Sequence, residues 1–263
     1  MPLNWQAFFS LITDYLIRMF SSESDYLKRY NIHDYDLPLV SVDIAIFTLL
    51  DGRLHILMVE RGEFPQKARW SLPGGFINQK LDKDLHATAL RKLREKTGVK
   101  TPHLEQVVTI GNADRDPRGW SVTSLYMALI PYAPTAGFIE TVVDARWWPV
   151  ELALKQTLAF DHAELILQAR ERLRAKAGYT ALPMYILNAP FTLTQLQQTY
   201  EELLGTTLEK KSFRRKFPVD ELLEEVGEGL PESGRGRIAA LYRPKKGGNT
   251  YTFLRSFGAA DDA

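Results

Sequence analysis

The sequence predicts a chain of the α/β class in two parts: a mixed sheet sandwiched between helices, then a smaller C-terminal unit of helices and a hairpin. Three observations carry this expectation. β-Branched apolar runs recur through the earlier part of the chain, and only two amphipathic helical stretches interrupt them. Near Gly178 the pattern changes to helix, turn and basic helix. Opposite charges are sorted into separate blocks beyond Lys210 and nowhere before it.

The 263 residues are 45% hydrophobic and carry 33 basic against 32 acidic side chains, the composition of an ordinary globular protein. There is no cysteine, which excludes disulfide frameworks, thiolate metal sites, iron–sulfur clusters and cysteine nucleophiles. The apolar stretch Trp5 to Phe20 contains Asp14 and Arg18 and spaces Phe8, Leu11, Ile12, Tyr15, Leu16 and Met19 at helical intervals. It is expected to be an amphipathic helix. A bilayer span needs roughly 20 uninterrupted apolar residues, so the expectation is a cytoplasmic chain that is neither secreted nor inserted in a membrane.

Val40 to Leu50 and Leu54 to Glu60 flank Asp51-Gly52 and read as a hairpin. SLPGGFI follows Trp70, then a polar loop, then a helix over Leu85 to Lys96 whose apolar face is Leu85, Ala89 and Leu93, ended at Thr97-Gly98. Strands are expected at Glu105 to Gly111, Ser121 to Ile130 and Ala145 to Pro149, and a charged helix at Phe160 to Ala175. Thr192 to Leu204 is a helix with Thr192 as its N-cap and Gly205 as its stop, and Leu208 to Phe217 forms the next. An acidic block spans Asp220 to Glu232, and Gly234 to Tyr242 with Tyr251 to Leu254 read as the strands of a hairpin. That order is the order of a winged helix-turn-helix. The expected boundaries are an N-terminal extension over 1–36, a sandwich over 37–178 and a winged helix over 179–263.

Residues Gly74 to Val99 resemble the Nudix box, a loop–helix–loop that handles diphosphates linked to a nucleoside. Anchored on Gly98, Arg91, Leu93, Glu95 and Val99 fall in register. The first part is therefore expected to be a Nudix-like α/β/α sandwich. Lys92 and Lys96 stand where the family has metal-binding glutamates, and the loop from Gly75 is longer than the pattern, leaving Leu81 or Lys83 at the first glutamate position. Magnesium needs oxygen ligands. Like charges about 4 Å apart repel by roughly 4 kcal/mol at an effective dielectric near 20, so Glu95 beside two ammonium groups is not expected to hold a metal. The two lysines, one turn apart, are expected either to meet a diphosphate directly or to be solvated surface residues.

A second polar cluster, Asp114 to Trp120, offers Arg115 and Arg118 as phosphate clamps beside Asp116, with Trp120 as a base-stacking ring. Arg61 and Trp70 flank the other end of the same expected pocket. The expected ligand set is thus Arg61, Trp70, Gly74, Gly75, Arg91, Lys92, Lys96, Arg115, Asp116, Arg118 and Trp120. The histidines show no metal-ligand spacing, and His162 reads as a helix-start residue. For DNA, the set is Thr192 and Thr194 at the first helix, Lys210, Lys211, Ser212, Arg214, Arg215 and Lys216 on the recognition helix, and Arg235, Arg237, Arg243, Lys245 and Lys246 on or beside the wing. Phe213 and Phe217 are expected to pack inward.

RKLREKTG, RDPRGW, the helix after FDHAE and FTLTQLQQTYEELLG together are similar to the NrtR family of Nudix-related transcriptional regulators, over about Leu37 to Leu254. The resemblance implies a dimeric repressor of NAD metabolism genes. It implies a pocket that takes ADP-ribose or a related NAD metabolite as effector, without a cofactor or catalytic metal, and double-stranded operator DNA as partner. The alternative is an active Nudix hydrolase, an ADP-ribose pyrophosphatase with an accessory C-terminal part. An RNA-binding Nudix pseudoenzyme is a third reading.

Overall fold

The computed structural model describes residues 22–97, 103–134, 142–229 and 238–257; the expected helix over Trp5 to Phe20 and the wing residues Arg235 and Arg237 lie outside them. The chain divides into two compact units, Met1–Pro38 and Leu39–Ala263. In the first, α1 (Glu23–Arg29) is capped by the Ser22 hydroxyl. Tyr26, Tyr30 and Tyr35 form a short ladder of rings with centroids 5.6 and 5.7 Å apart.

The second unit is organised around β1 (Leu39–Leu50). Asp51 and Gly52 take φ of 50° and 70°, the left-handed pair that a two-residue hairpin demands, and return the chain as β2 (Arg53–Arg61). β3 (Trp70–Ser71) and β4 (Gly74–Phe76) follow, then α2 (Leu85–Thr97), β5 (His103–Asn112), β6 (Ser121–Leu129), β7 (Val142–Pro149), the one-turn α3 (Val150–Ala153) and α4 (His162–Tyr179). The sheet runs β3-β2-β1-β6-β5, with β4 on β1 and β7 on β2. Only the β1–β6 pairing is parallel, so the sheet is mixed.

Side chains alternate across β1, and each face meets a different helix. Val42, Ile44 and Ile46 pack with Ala89 and Leu93 of α2. Ala45 and Phe47 belong to a larger core with Leu165, Ile166, Ala169, Leu173 and Ala177 of α4. Phe160, expected to begin α4, has φ 51° and cannot be helical, so the helix starts two residues later, at His162. Midway, Arg172 and Lys176 clamp α4 to Glu105 of β5. Burial alone would raise the Glu105 carboxyl, but its hydrogen bonds from His103, Arg172 and Lys176 outweigh this and hold it at about 2.

The same core continues without a break into the C-terminal part. A 3-10 turn (Leu182–Ile186) leads to α5 (Leu193–Leu204), which has a complete capping box from Thr192 and Gln195 and ends on Gly205 at φ 69°. α6 (Lys210–Lys216) is shorter than expected: Glu209 caps it by accepting the N–H groups of Lys211 and Ser212, and Pro218 follows Phe217. α7 (Val219–Leu222) then leads into β8 (Leu223–Gly229), paired with β9 (Ala239–Pro244).

This hairpin corrects the expected one. The first strand of the wing lies inside the acidic block, and Tyr251 to Leu254 is no hairpin strand. β8 is solvent-exposed for most of its length, so it lacks the apolar alternation that marks a strand. Residues Tyr251 to Phe257 instead run beside the end of α4: Phe253 and Phe257 donate their N–H groups to the carbonyls of Tyr179 and Gly178. Their rings join Tyr200, Phe213 and Phe217 in one aromatic cluster, with Tyr200 5.4 Å from Phe213 and 5.1 Å from Phe257. The fully buried Tyr200 hydroxyl donates to the Thr180 carbonyl at 2.8 Å, tying α5 to the end of α4.

Tyr200→Phe is expected to strand that carbonyl and cost about 1–3 kcal/mol, and Tyr200→Ala about 3–5 kcal/mol through the cavity left. Urea titration checks both. Equal stability of Tyr200→Phe and the native chain would remove the hydrogen bond from the account.

Candidate functional site

β1 makes room for a cleft because one of its edges changes neighbour. From Phe47 to Leu50 that edge pairs with β2, and from Ser41 to Asp43 it pairs with β4. The chain crosses from β3 to β4 through Leu72-Pro73, where the Pro73 carbonyl accepts the Ile44 N–H. The fork opens a cleft of about 240 Å³, near the lower end of the roughly 300–1,000 Å³ common for small ligands, so a long ligand would extend beyond it. Ser41, Asp43, Arg61, Gly74, Gly75, Arg115, Asp116, Arg118, Phe160 and His162 are among the lining residues. Gly74 is obligatory: a Cβ there would lie 2.4 Å from Asp43 Oδ1.

The cleft is strongly charged, and most of its charge is already paired. Arg115, buried, grips Asp161 with Nε and Nη2 at 2.9 and 3.0 Å, while Asp43 lies 3.7 Å away. Asp161 stands at the N-cap position of α4 but makes no capping hydrogen bond, since its carboxylate serves Arg115. Arg118 holds Asp116 through two hydrogen bonds of 3.0 and 2.7 Å and covers the Phe76 ring. This contact lowers the Asp116 carboxyl and raises the guanidinium. Arg61 differs. Its Nε donates to the Pro65 carbonyl and its plane covers Phe160, but it makes no ion pair among the described residues. Burial, then the like charge of Arg118, lowers its pKa. An entering anion would relieve both effects.

Arg91 and Lys92, expected in the ligand set, do not line this cleft. Arg91 is bound to Asp82, with Nε to Oδ1 at 2.7 Å, and to Glu95 at 3.0 Å. Lys92 turns its ammonium to the other oxygen of Glu95 at 3.0 Å and lays its stem under Gly75. The two face a shallow groove beside Phe76 to Lys80. Burial alone would raise Glu95, but the hydrogen bonds from Lys92 and Arg91 outweigh it and hold the carboxyl below its usual range. Both Glu95 oxygens are thus engaged by cations. Asp82, which the sequence reading passed over, is likewise held by Arg91, which lowers its pKa. These residues do not fit a magnesium ion, and no group of three or more His, Asp or Glu side chains among the described residues is arranged to hold a metal. The Lys96 side chain lies outside the described set.

Two aromatic candidates lie outside the cleft lining. Trp70 packs edge-on against Trp148 at 5.4 Å and is covered by Arg146, so it belongs to the sheet's edge. Trp120 lies over Gly111, where a Cβ would meet its ring at 2.9 Å, outside the cleft. The structure brings together Arg61, Gly74, Gly75, Arg115, Asp116 and Arg118, and adds Asp43, Phe64 and His162. Asp43 carried a signal: a lone carboxylate inside an apolar strand is costly to bury unless it has partners.

In the C-terminal part, Lys210, Lys211, Arg214 and Arg215 are exposed on α6, and Phe213 and Phe217 pack inward as expected. Arg214 lies close enough to β9 to act on the Tyr242 hydroxyl. Ser212 and Lys216 are half-buried, and Thr194 is exposed in the first turn of α5. Thr192 is corrected: its buried hydroxyl accepts the Gln195 N–H, so capping uses it. The described basic residues of the wing are partly engaged within it. Arg243 is held by Glu224 through two 2.9 Å hydrogen bonds, and Lys245 donates to the Asp220 carbonyl, while Lys246 is exposed.

A Nudix-type sandwich with an arginine-lined cleft, sharing its core with a winged helix, defines a two-part class of protein. Residues 40–169 match the NUDIX domain model, and residues 183–243 match the model of the NrtR DNA-binding winged helix domain. The chain is 49% identical over 224 residues to the ADPR responsive transcriptional repressor NtrR of Acinetobacter baylyi, covering 85% of this chain and 89% of that one. It is similar to the crystal structure of Shewanella oneidensis NrtR complexed with a 27mer DNA, at 45% identity and a TM-score of 0.77 over 83% of this chain and 99% of that one. It is also similar to the NUDIX domain of Shewanella oneidensis NrtR complexed with ADP ribose, at 47% identity and a TM-score of 0.56, over 58% of this chain and 99% of that one. The chain belongs to the NrtR family.

Arg115→Ala is expected to leave Asp161 and Asp43 without their buried partner and to cost about 3–5 kcal/mol in denaturant titration. A second expectation concerns acid. Burial lowers the pKa of His162. Below about pH 6.5 the unfolded chain therefore binds a proton that the folded chain resists, and stability is lost as pH falls. Tm should drop between pH 7 and pH 5.5, and drop less in His162→Gln; an equal drop in both would exclude His162 as the source.

Proposed function

We propose that this chain is a ligand-responsive transcriptional repressor, in which ADP-ribose or a related NAD metabolite bound in the cleft controls operator binding by the winged helix. One observation carries the reading: α4 begins at the cleft with Asp161 and His162, and ends in the core that holds α5 and α6. The relatives support the ligand and the partner, being named for ADP-ribose response or complexed with ADP ribose and with DNA.

The diphosphate is drawn to Arg61 and the Arg118 rim, where its charge relieves the buried guanidinium. The site works without a catalytic metal or cofactor and the chain is not an enzyme, because the Nudix carboxylate Glu95 is neutralised by Arg91 and Lys92. The ligand favours the conformation in which the reading helices are misplaced for the operator, with a coupling of about 1–3 kcal/mol. Two copies related by a twofold axis read a palindromic operator of NAD metabolism genes.

A gel shift with the chain's own upstream region, titrated with ADP-ribose, is expected to show release of DNA. Arg214→Ala with Arg215→Ala should abolish the shift at physiological salt, and its residual binding at low salt should show a dependence of log affinity on log salt flatter by about 2 for each chain bound. Ligand affinity should not change. Unaltered DNA binding by this double variant would withdraw the assignment of α6. Rapid magnesium-dependent hydrolysis of ADP-ribose by the native chain would favour the hydrolase reading instead.

A further inference from the structure

The floor of the cleft holds two polar atoms that the fold leaves unused. Asp43 and His162 are only 7% and 4% exposed, and both line the cleft. The Thr123 hydroxyl donates to Asp43 Oδ2 at 2.7 Å, while Oδ1 accepts no hydrogen bond among the described residues. The Leu72 N–H donates to His162 Nδ1 at 2.8 Å, which puts the proton of the neutral ring on Nε2. That nitrogen donates no hydrogen bond among the described residues; Asp43 Oδ1 stands 3.7 Å from it, too far for one. Both residues line the cleft, so an acceptor and a donor stand open side by side to whatever enters it.

The pair repels a phosphate, since a carboxylate faces the space. It suits a hydroxyl group, whose oxygen accepts from His162 Nε2 while its proton goes to Asp43 Oδ1. Gly74 keeps the approach clear, because any side chain there would collide with Oδ1. Arg115 stands 3.7 Å from the other Asp43 oxygen but is bound to Asp161, and the same cleft also carries Arg61 and Arg118. Both residues are almost closed to solvent, so the end of a ligand reaches them more readily than its middle. In a nucleoside diphosphate ribose both sugars carry free hydroxyls, but the inner ribose is substituted at both ends, by base and phosphate, whereas the terminal ribose is attached through one end alone.

We propose that Asp43 and His162 form a hydroxyl-recognition subsite at the cleft floor that takes the terminal ribose of a nucleoside diphosphate ribose, with the diphosphate at the arginine rim. This rests on the reading of the cleft as the effector site. It assigns specificity: the sugar end, and not only the anion, is recognised, and it is recognised by the first residue of α4.

Calorimetry of the full chain with ADP-ribose and with ADP, which lacks the terminal ribose, tests it. The native chain is expected to bind ADP on the order of tenfold to a hundredfold more weakly, the usual effect of one or two lost buried hydrogen bonds. Asp43→Asn and His162→Gln should each bring ADP-ribose to the level of ADP, with the loss confined to the ribose-bearing ligand. Equal native affinity for ADP-ribose and ADP would overturn the subsite and leave the effector reading standing, and needs no variant that might misfold. Equal weakening of both ligands in both variants would also overturn it. Binding of neither ligand by the native chain would overturn the effector reading itself.

Discussion

The ion pair between Arg115 and Asp161 is the contact through which the cleft and the reading helices become one object. Arg115 comes from the loop that follows β5 and forms a wall of the cleft, and Asp161 is the residue before α4. The pair is nearly closed to water, so its attraction is little screened and its loss would leave charges stranded. From this anchor α4 runs for 18 residues, about 27 Å at 1.5 Å per residue. At its far end the carbonyls of Gly178, Tyr179 and Thr180 receive Phe257, Phe253 and the Tyr200 hydroxyl. A displacement at the cleft has a stiff element to act on, and no flexible linker absorbs it.

Charge is divided between the cleft and the helix that faces away from it. On α2, Glu95 bridges Arg91 and Lys92. The helix surface that would gather divalent cations is occupied by internal ion pairs. The positive charge available to a ligand sits across the fork of the sheet, on Arg61. The two places are joined by Gly74 and Gly75, under which the Lys92 stem passes.

The sandwich was legible because its signals are local. The Asp51-Gly52 turn, the Leu85–Ala89–Leu93 stripe and the Thr192 cap each need only a few neighbouring residues to be read, and the elements they predict are present. Of the cleft's lining, charge marked Arg61, Arg115, Asp116 and Arg118 in the sequence, and the Nudix-like segment marked Gly74 and Gly75. Asp43 and His162 stand far apart in sequence and meet only because β1 forks, which spacing along the chain does not encode. Trp70 and Trp120 looked like stacking rings, yet their partners are Trp148 and Gly111, which tertiary packing alone brings to them. The wing was misplaced for a related reason: β8 is stabilised by its pairing with β9 and by the Glu224–Arg243 bridge, not by apolar alternation.

The shared helix carries a thermodynamic obligation. Whatever work a bound nucleotide does on the reading helices, a bound duplex must do in reverse on the cleft, by the same factor. With the proposed release of DNA by its ligand, a copy seated on its promoter would be a poorer collector of the metabolite than a copy adrift in bulk. Spare copies would soak up the first molecules to appear, and clearance of the promoter would wait until that reservoir had filled. The abundance of the repressor, and not only the chemistry of its cleft, would set the concentration at which its genes awaken.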